Sequence, residues 1–211
     1  MPIFRKNSKS IFFFHVPKAG GTTVELVFKD NGYRVILLDP GGKGSLNSLR
    51  YCSPQHMHTD QVSKLFNLNK FDTSFMLARN PYDRVRSEFC MRHQSAHCLS
   101  KNERVVAFKN WLRYVFKNYP QNPFMLDNHI RPQAEFCAPQ TTVFRLEEGL
   151  ETVFSSLSEA LGDDILYDGR SAYTRNKISG FSSLDVGIDE ECRELIYDFY
   201  SVDFKLFGYE F

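Results

Sequence analysis

The chain has 211 residues, with 26 Lys and Arg against 25 Asp and Glu for a formal net charge of +1. That length suits one domain, taken as residues 1–211, and near-neutrality excludes broad, sequence-independent nucleic-acid binding. The 20 Phe supply a substantial core, while five widely spaced cysteines without a CxxC pair exclude a disulfide framework and a four-thiolate zinc site and suit a reduced, cytoplasmic setting.

In chain order, the first expected element is a buried strand over Ile11–Val16, an apolar run of about six residues that is too short for a signal peptide or a membrane span. Thr22 or Thr23 is expected to cap a helix reaching Asp30, closed by Asn31-Gly32. Tyr33–Asp39 reads as a second buried strand and residues 40–54, with GGKGS at 41–45, as a loop. A helix over Thr59–Asn67 leads to a third strand, Ser74–Arg79. Asn80-Pro81 is a helix start, with Asn as cap and Pro at the first helical position, and that helix runs to Arg92. Further helices are expected over Glu103–Asn118, with Trp111, Leu112 and Val115 facing inward, and over Glu148–Leu161 and Asp189–Tyr200. The fourth strand is Thr141–Leu146. Alternating strands and helices predict an α/β fold, P-loop-like and three-layered, with a central, mainly parallel sheet flanked by helices. Ligands of such sheets lie beyond the carboxyl ends of the strands, where both main motifs fall and are expected to converge.

The first motif is HVPKAGGTT, residues 15–23. Its glycines allow close backbone approach, the following helix offers unpaired N–H groups and a positive dipole end, and Lys18 adds a full charge. The threonine hydroxyls add further donors. This is the chemistry of a phosphate cradle, set against the plainer reading of a glycine turn with an incidental lysine. It is no Walker A loop, because the lysine precedes the glycines, and GGKGS lacks the distant first glycine of one. The second motif is RNPYDRVRSEF, residues 79–89. Arg79 ends a strand and Ser87 lies two turns into the helix, an arginine fork and a hydroxyl suited to a second phosphate. Arg84 and Arg86 read as ordinary surface charges.

Together the two motifs resemble the carbohydrate sulfotransferases, especially the Golgi-type family and its bacterial relatives. The resemblance implies that Lys18, Ala19, Gly20, Gly21, Thr22 and Thr23 bind the 5′-phosphosulfate of 3′-phosphoadenosine-5′-phosphosulfate (PAPS). It also implies that Arg79 and Ser87 bind the 3′-phosphate, and that Lys18 stabilises the departing phosphate. SPQHMHTD, residues 53–60, is similar to the His-X-His segment of uronyl 2-O-sulfotransferases, in which a histidine is the catalytic base. His58 or His56 is the expected proton acceptor, and in an extended segment both would face one side. A metal ion is the competing reading for that pair and for His93 and His97; sulfuryl transfer demands none.

Asn128, His129, Arg131 and Gln133 in DNHIRPQAEF are expected to border the acceptor pocket, the alternative being a helix-capping loop. FRLEEGL, residues 144–150, resembles the family's segment near the cofactor, with Glu147 as a candidate ion-pair anchor. Arg175, Asn176 and Lys177 are weak candidates for the nucleotide. The expected function is sulfuryl transfer from PAPS to a hydroxyl of a glycan or glycoconjugate, leaving 3′-phosphoadenosine-5′-phosphate. No nucleic acid or membrane span is involved, and the oligomeric state is left open. The setting is cytoplasmic and bacterial, with the trimmed catalytic domain of a Golgi enzyme as the other reading. A P-loop kinase and a non-catalytic nucleotide-binding module are the rivals.

Overall fold

The computed structural model describes residues 1–169 and 182–211. They form two compact units, each built from two stretches of chain. Unit one is Met1–Ala78 with the described part of Glu135–Tyr173, and unit two is Arg79–Ala134 with the described part of Thr174–Phe211.

Five strands make the sheet of unit one: β1 (Ile3–Lys6), β2 (Lys9–Phe14), β3 (Arg34–Ile36), β4 (Thr73–Ala78) and β5 (Thr142–Arg145), in spatial order β3-β1-β2-β4-β5. β2, β4 and β5 pair in parallel. β1 is antiparallel to both β2 and β3, so it alone opposes the other four. The sequence reading lacks β1. Its signal is the two-residue turn Asn7-Ser8, where Asn7 takes a left-handed φ of 53° and lets Lys6 pair with Lys9. β3 is shorter than expected and only half-buried, because it is an edge strand with one neighbour.

The helices are α1 (Gly21–Asp30), α2 (Thr59–Leu65), α3 (Pro81–Arg92), α4 (Lys101–Asn118), α5 (Leu150–Leu161), α6 (Glu190–Phe199) and α7 (Ser201–Phe207). Side chains of β2 alternate between faces, as strand geometry requires. Phe13 stacks on Phe75 at 4.8 Å, on the face where Phe28 of α1 stacks on Phe4 at 4.1 Å and meets Phe154 of α5 at 6.2 Å. Phe12 points the other way, to Phe71 at 5.1 Å and to Phe66, just past α2, at 5.7 Å. Both faces are thus covered, giving a mixed α/β fold of the P-loop-like, three-layer kind. Each fully buried Phe ring contributes about 1.5–3 kcal/mol relative to exposure.

Unit two is helical. Phe89 of α3 meets Phe108 of α4 at 5.2 Å, Tyr82 meets Phe204 of α7 at 5.0 Å, and Phe116 stacks on Phe199 of α6 at 4.1 Å. Asn80 caps α3 as expected, its side chain accepting from Tyr82 N–H at 2.9 Å with Pro81 following. α4 starts two residues before the expected Glu103, because Ser100 caps it and Glu103 returns a bond to Ser100 N–H at 2.8 Å. α7 was not anticipated. Among the described residues, no helix is long and apolar enough to cross a membrane.

Candidate active site

β2 ends at Phe14, and the turn that follows reverses its backbone hand twice. Lys18 has φ 67° and Gly20 φ 87°, with Ala19 between them at an ordinary φ. Such alternation turns successive N–H groups toward one side, forming an anion-binding concavity. Gly20 is the N-cap of α1, and its carbonyl accepts from Thr23 and Val24. This corrects the expectation that a threonine caps the helix: Thr22 stands exposed in the first turn and Thr23 is buried. The first helical N–H groups have no intrahelical acceptor, so they meet a ligand or water. A Cβ on Gly20 would come within 3.0 Å of Leu146 Cδ1, so FRLEEGL supports the turn by packing. In the same segment Arg145 pairs with Glu148 at 2.8 Å.

Beneath the turn lies a buried imidazole that the sequence reading passed over. His15 follows Phe13 by two residues and therefore points to the α1 face, where its Nδ1 is 2.6 Å from Glu25 Oε1. Gly21 and Glu25 are four apart and share one face of α1. A Cβ on Gly21 would sit 2.2 Å from His15 Nε2, so only glycine fits there. His56 stands edge-on to His15 with ring centroids 5.1 Å apart, and its Nδ1 lies 3.0 Å from the Ser53 hydroxyl. The structure thus brings His56 against the imidazole on which the cradle rests.

His58 is placed differently. It is the N-cap residue of α2, with its Nδ1 2.9 Å and its backbone nitrogen 3.3 Å from Gln61 Oε1. The pair is not on an extended strand, because residues 54–56 form a turn of 3-10 helix. His93 and His97 are not a helical pair either. α3 stops at Arg92, and their Nδ1 atoms lie 3.1 Å from Phe89 O and 2.6 Å from Gln94 O. In GGKGS, no atom lies within 4 Å of where a Cβ would stand on Gly41, Gly42 or Gly44, and no α-helix follows.

In unit two, Arg79 is held by its backbone. Gln133 Oε1 accepts from Arg79 N–H at 2.9 Å, and Gln133 Nε2 donates to Arg79 O at 2.8 Å. Gln133 was expected at the acceptor pocket; it is fully buried, with both ends of its amide on that one residue. Ser87 is half-buried on α3. Arg84, expected at the surface, is 1% exposed. Its Nη1 donates to His129 O at 3.2 Å and its Nη2 to Arg131 O at 2.8 Å, while the guanidinium lies 5.0 Å over the Tyr200 ring. Arg86 is also mostly buried, bonded to Asp83 and donating to Val186 O at 3.3 Å. Strand-to-helix geometry turns these arginines inward, and charge alone in a sequence does not reveal that.

Among the described residues, the segment 126–134 carries the longest run of left-handed backbone. Leu126, Asp127 and Asn128 have φ of 53°, 61° and 63° in succession. The left-handed region costs about 1–2 kcal/mol per residue, less for Asp and Asn. The surroundings hold the segment in place. Arg92 donates to Leu126 O at 3.0 Å, Arg131 Nε to Asn128 Oδ1 at 3.0 Å, and the Tyr200 hydroxyl to Ile130 O at 2.8 Å. Asp203, wholly buried, accepts from the N–H groups of Gln133 and Ala134, both at 2.8 Å. Burial pushes the Asp203 carboxyl up, against the opposing pull of Arg84 and those two N–H groups. Asn128, fully buried, and Arg131, nearly so, are the expected pocket-bordering residues that this scaffold engages. His129 Nδ1 lies 2.6 Å from Glu88 Oε2, and Arg92 Nε donates to Glu88 Oε1 at 2.7 Å. Burial opposes the Glu88 charge, but His129 and Arg92 outweigh it and leave the carboxyl at about 2.

Arg175, Asn176 and Lys177 lie outside the described residues. Sequence reasoning missed His15, Glu25, Arg84, Glu88, Tyr200 and Asp203. Only the i,i+4 pair Glu88–Arg92 left a local trace. The family model described as the sulfotransferase family, Sulfotransfer_2, matches residues 1–210. No curated protein and no solved structure matches the chain.

Proposed function

Since the chain belongs to the sulfotransferase family, we propose that it transfers a sulfuryl group from PAPS to a hydroxyl of a glycan or glycoconjugate. The match runs through both units, so we read residues 1–211 as one sulfotransferase domain. The observation that carries the reading is the twice left-handed turn at Lys18 and Gly20 opening directly into α1. Its residues fit a phosphosulfate: N–H groups converge, Lys18 brings a positive charge, and Thr22 leaves a hydroxyl exposed. PAPS carries its sulfuryl group in a mixed phosphoric–sulfuric anhydride, whose 5′-phosphate is a leaving group good enough for direct displacement.

Lys18, Ala19, Gly20, Gly21, Thr22 and Thr23 hold the 5′ side, and Lys18 stabilises the negative charge that grows on the bridging oxygen as its bond to sulfur breaks. Arg79 and Ser87 hold the 3′-phosphate, with Gln133 fixing the Arg79 backbone. The acceptor oxygen forms the new bond to sulfur and gives its proton to a histidine. His56 is the better supported of the two candidates, because His58 is engaged in capping α2 while His56 stands beside the imidazole under the cradle. A cytoplasmic setting belongs to the same proposal, in keeping with five cysteines that form no disulfide. A P-loop kinase is disfavoured by a lysine that precedes the glycines, and a mere binding module has no use for His56.

The test has two arms. Sulfur-labelled PAPS incubated with the protein and a panel of glycans, lipids and phenols is expected to label a glycan, and the absence of transfer to every acceptor refutes the reading. Calorimetry is expected to show 3′-phosphoadenosine-5′-phosphate binding roughly tenfold to a hundredfold tighter than AMP, a preference that Arg79→Ala removes. Equal affinities in the wild type overturn the 3′-phosphate assignment.

A further inference from the structure

Unit one buries a histidine–carboxylate pair that the scheme above leaves idle. His15 and Glu25 are each more than nine-tenths buried, with Glu25 Oε1 2.6 Å from His15 Nδ1. A buried carboxylate is costly even when it is bonded, and hydrophobic residues of similar volume often pack in such places without loss of stability. Stability alone therefore gives no reason for the pair. What the pair does achieve is to fix one ring. Glu25 ties its Nδ1 to α1, one face stacks on Phe13 at 5.5 Å, and its far edge fills the space in front of Gly21, where an added Cβ would come within 2.2 Å of Nε2. Contacts on three sides leave the imidazole one orientation.

We propose that His15, locked by Glu25, is a positioning residue for His56: it sets where the His56 ring stands relative to the cradle that opens α1. This deepens the sulfuryl-transfer reading and rests on it. The two rings are perpendicular, at 90°, with centroids 5.1 Å apart, an edge-to-face arrangement that aromatic rings favour. His56 sits at the end of a single turn of 3-10 helix, residues 54–56. Ser53, which lies 3.0 Å from His56 Nδ1 through its hydroxyl and accepts from His56 N–H through its carbonyl, belongs to the same short stretch and moves with it. His15 comes from elsewhere. It directly follows β2 and is bonded to α1, so its contact refers the His56 ring to the sheet and to the helix that holds the anion. Residues 15, 21, 25, 53 and 56 all lie in unit one. A group that takes up a proton must stand at the reacting oxygen, and a misplacement of about 1 Å costs roughly a hundredfold in rate.

Turnover of the full chain at saturating PAPS, per folded molecule by circular dichroism, is measured for wild type, His15→Asn, Glu25→Gln and His56→Ala, and for each of the first two changes combined with His56→Ala. His15→Asn keeps an amide where Nδ1 stands, so Glu25 retains a donor, and it removes the rest of the ring that His56 meets. It is expected to lower turnover about tenfold to a hundredfold, with a much smaller change in affinity for 3′-phosphoadenosine-5′-phosphate. In the His56→Ala background the same change is expected to cost nothing further, because residues that act as a unit are not additive. Glu25→Gln still offers Nδ1 an oxygen, though a weaker acceptor, and is expected to show a smaller loss with the same dependence on His56; it serves where His15→Asn does not fold. Equal losses with and without His56 overturn the proposal, because they show a general effect on the fold, and so does full turnover in His15→Asn. Nuclear magnetic resonance relaxation of the His56 ring reads the contact without turnover. Greater ring motion in His15→Asn supports the positioning role, and unchanged motion overturns it. If wild type transfers no sulfuryl group, the parent reading fails by itself, and the relaxation measurement still decides whether His15 holds His56.

Discussion

The turn at residues 15–23 and the segment at residues 126–134 solve opposite problems. In the first, the main chain carries the geometry: left-handed φ at Lys18 and Gly20 leads into the N-terminus of α1. In the second, the main chain is the thing held. Arg84, Arg92, Tyr200 and Asp203 all bond to its backbone, so side chains from α3, α6–α7 and α7 are invested in fixing one strained stretch. A main-chain site needs a short local pattern, whereas a side-chain scaffold needs partners remote in sequence. The two regions therefore differ in how they fail.

The largest loss is expected from Arg84→Ala. It removes a donor from the carbonyls of His129 and Arg131, the second of them buried, and takes from Asp203 its nearby cation, a change that typically costs about 3–5 kcal/mol. Chemical denaturation followed by fluorescence measures it, and a loss below about 1 kcal/mol would mean that the segment does not depend on its scaffold.

Next comes the acid response of Glu88. Its folded-state value of about 2 lies below the ordinary 4.5, so its charged form stabilises the fold above that range, and the contribution is lost as pH falls from about 4.5 toward 2. The linkage amounts to roughly 3 kcal/mol. Denaturation at a series of pH values should show this slope in wild type and a flatter one in Glu88→Gln. Parallel curves would detach Glu88 from the stability of its unit.

Gly21→Ala probes the other region. The added methyl meets the His15 ring, and overpacking of this kind costs about 1–3 kcal/mol. Adding His15→Ala should recover part of that loss, and strictly additive effects would deny the contact. The smallest effect belongs to Lys43→Ala in GGKGS. Its stability change should stay within about 0.5 kcal/mol with unchanged nucleotide affinity. Weakened binding would restore that loop as a phosphate site.

The legible parts of the protein were those in which a residue's neighbours in sequence are also its neighbours in space. The Phe run of β2, the glycine turn, the Asn80-Pro81 start of α3 and the alternation of strands and helices all follow from spacing and capping chemistry within a few residues. They yielded the α/β fold and the two motifs that carry the family resemblance. Pairing was less legible. β1 escaped because four residues of strand carry little periodicity, and β3 was overextended because an edge strand and a buried one read alike. Only the tertiary structure decided which charges turn inward. Arg84 and Arg86 sit on α3 among residues that look like a solvated face, and their backbone acceptors lie at residues 129, 131 and 186, far along the chain. The same holds for Gln133 on Arg79 and for Asp203 on residues 133 and 134. His15 and Glu25 needed both β2 and α1 in place before either had a partner. A buried polar group declares itself by the bond that compensates its desolvation, and when that bond spans scores of residues no local pattern encodes it.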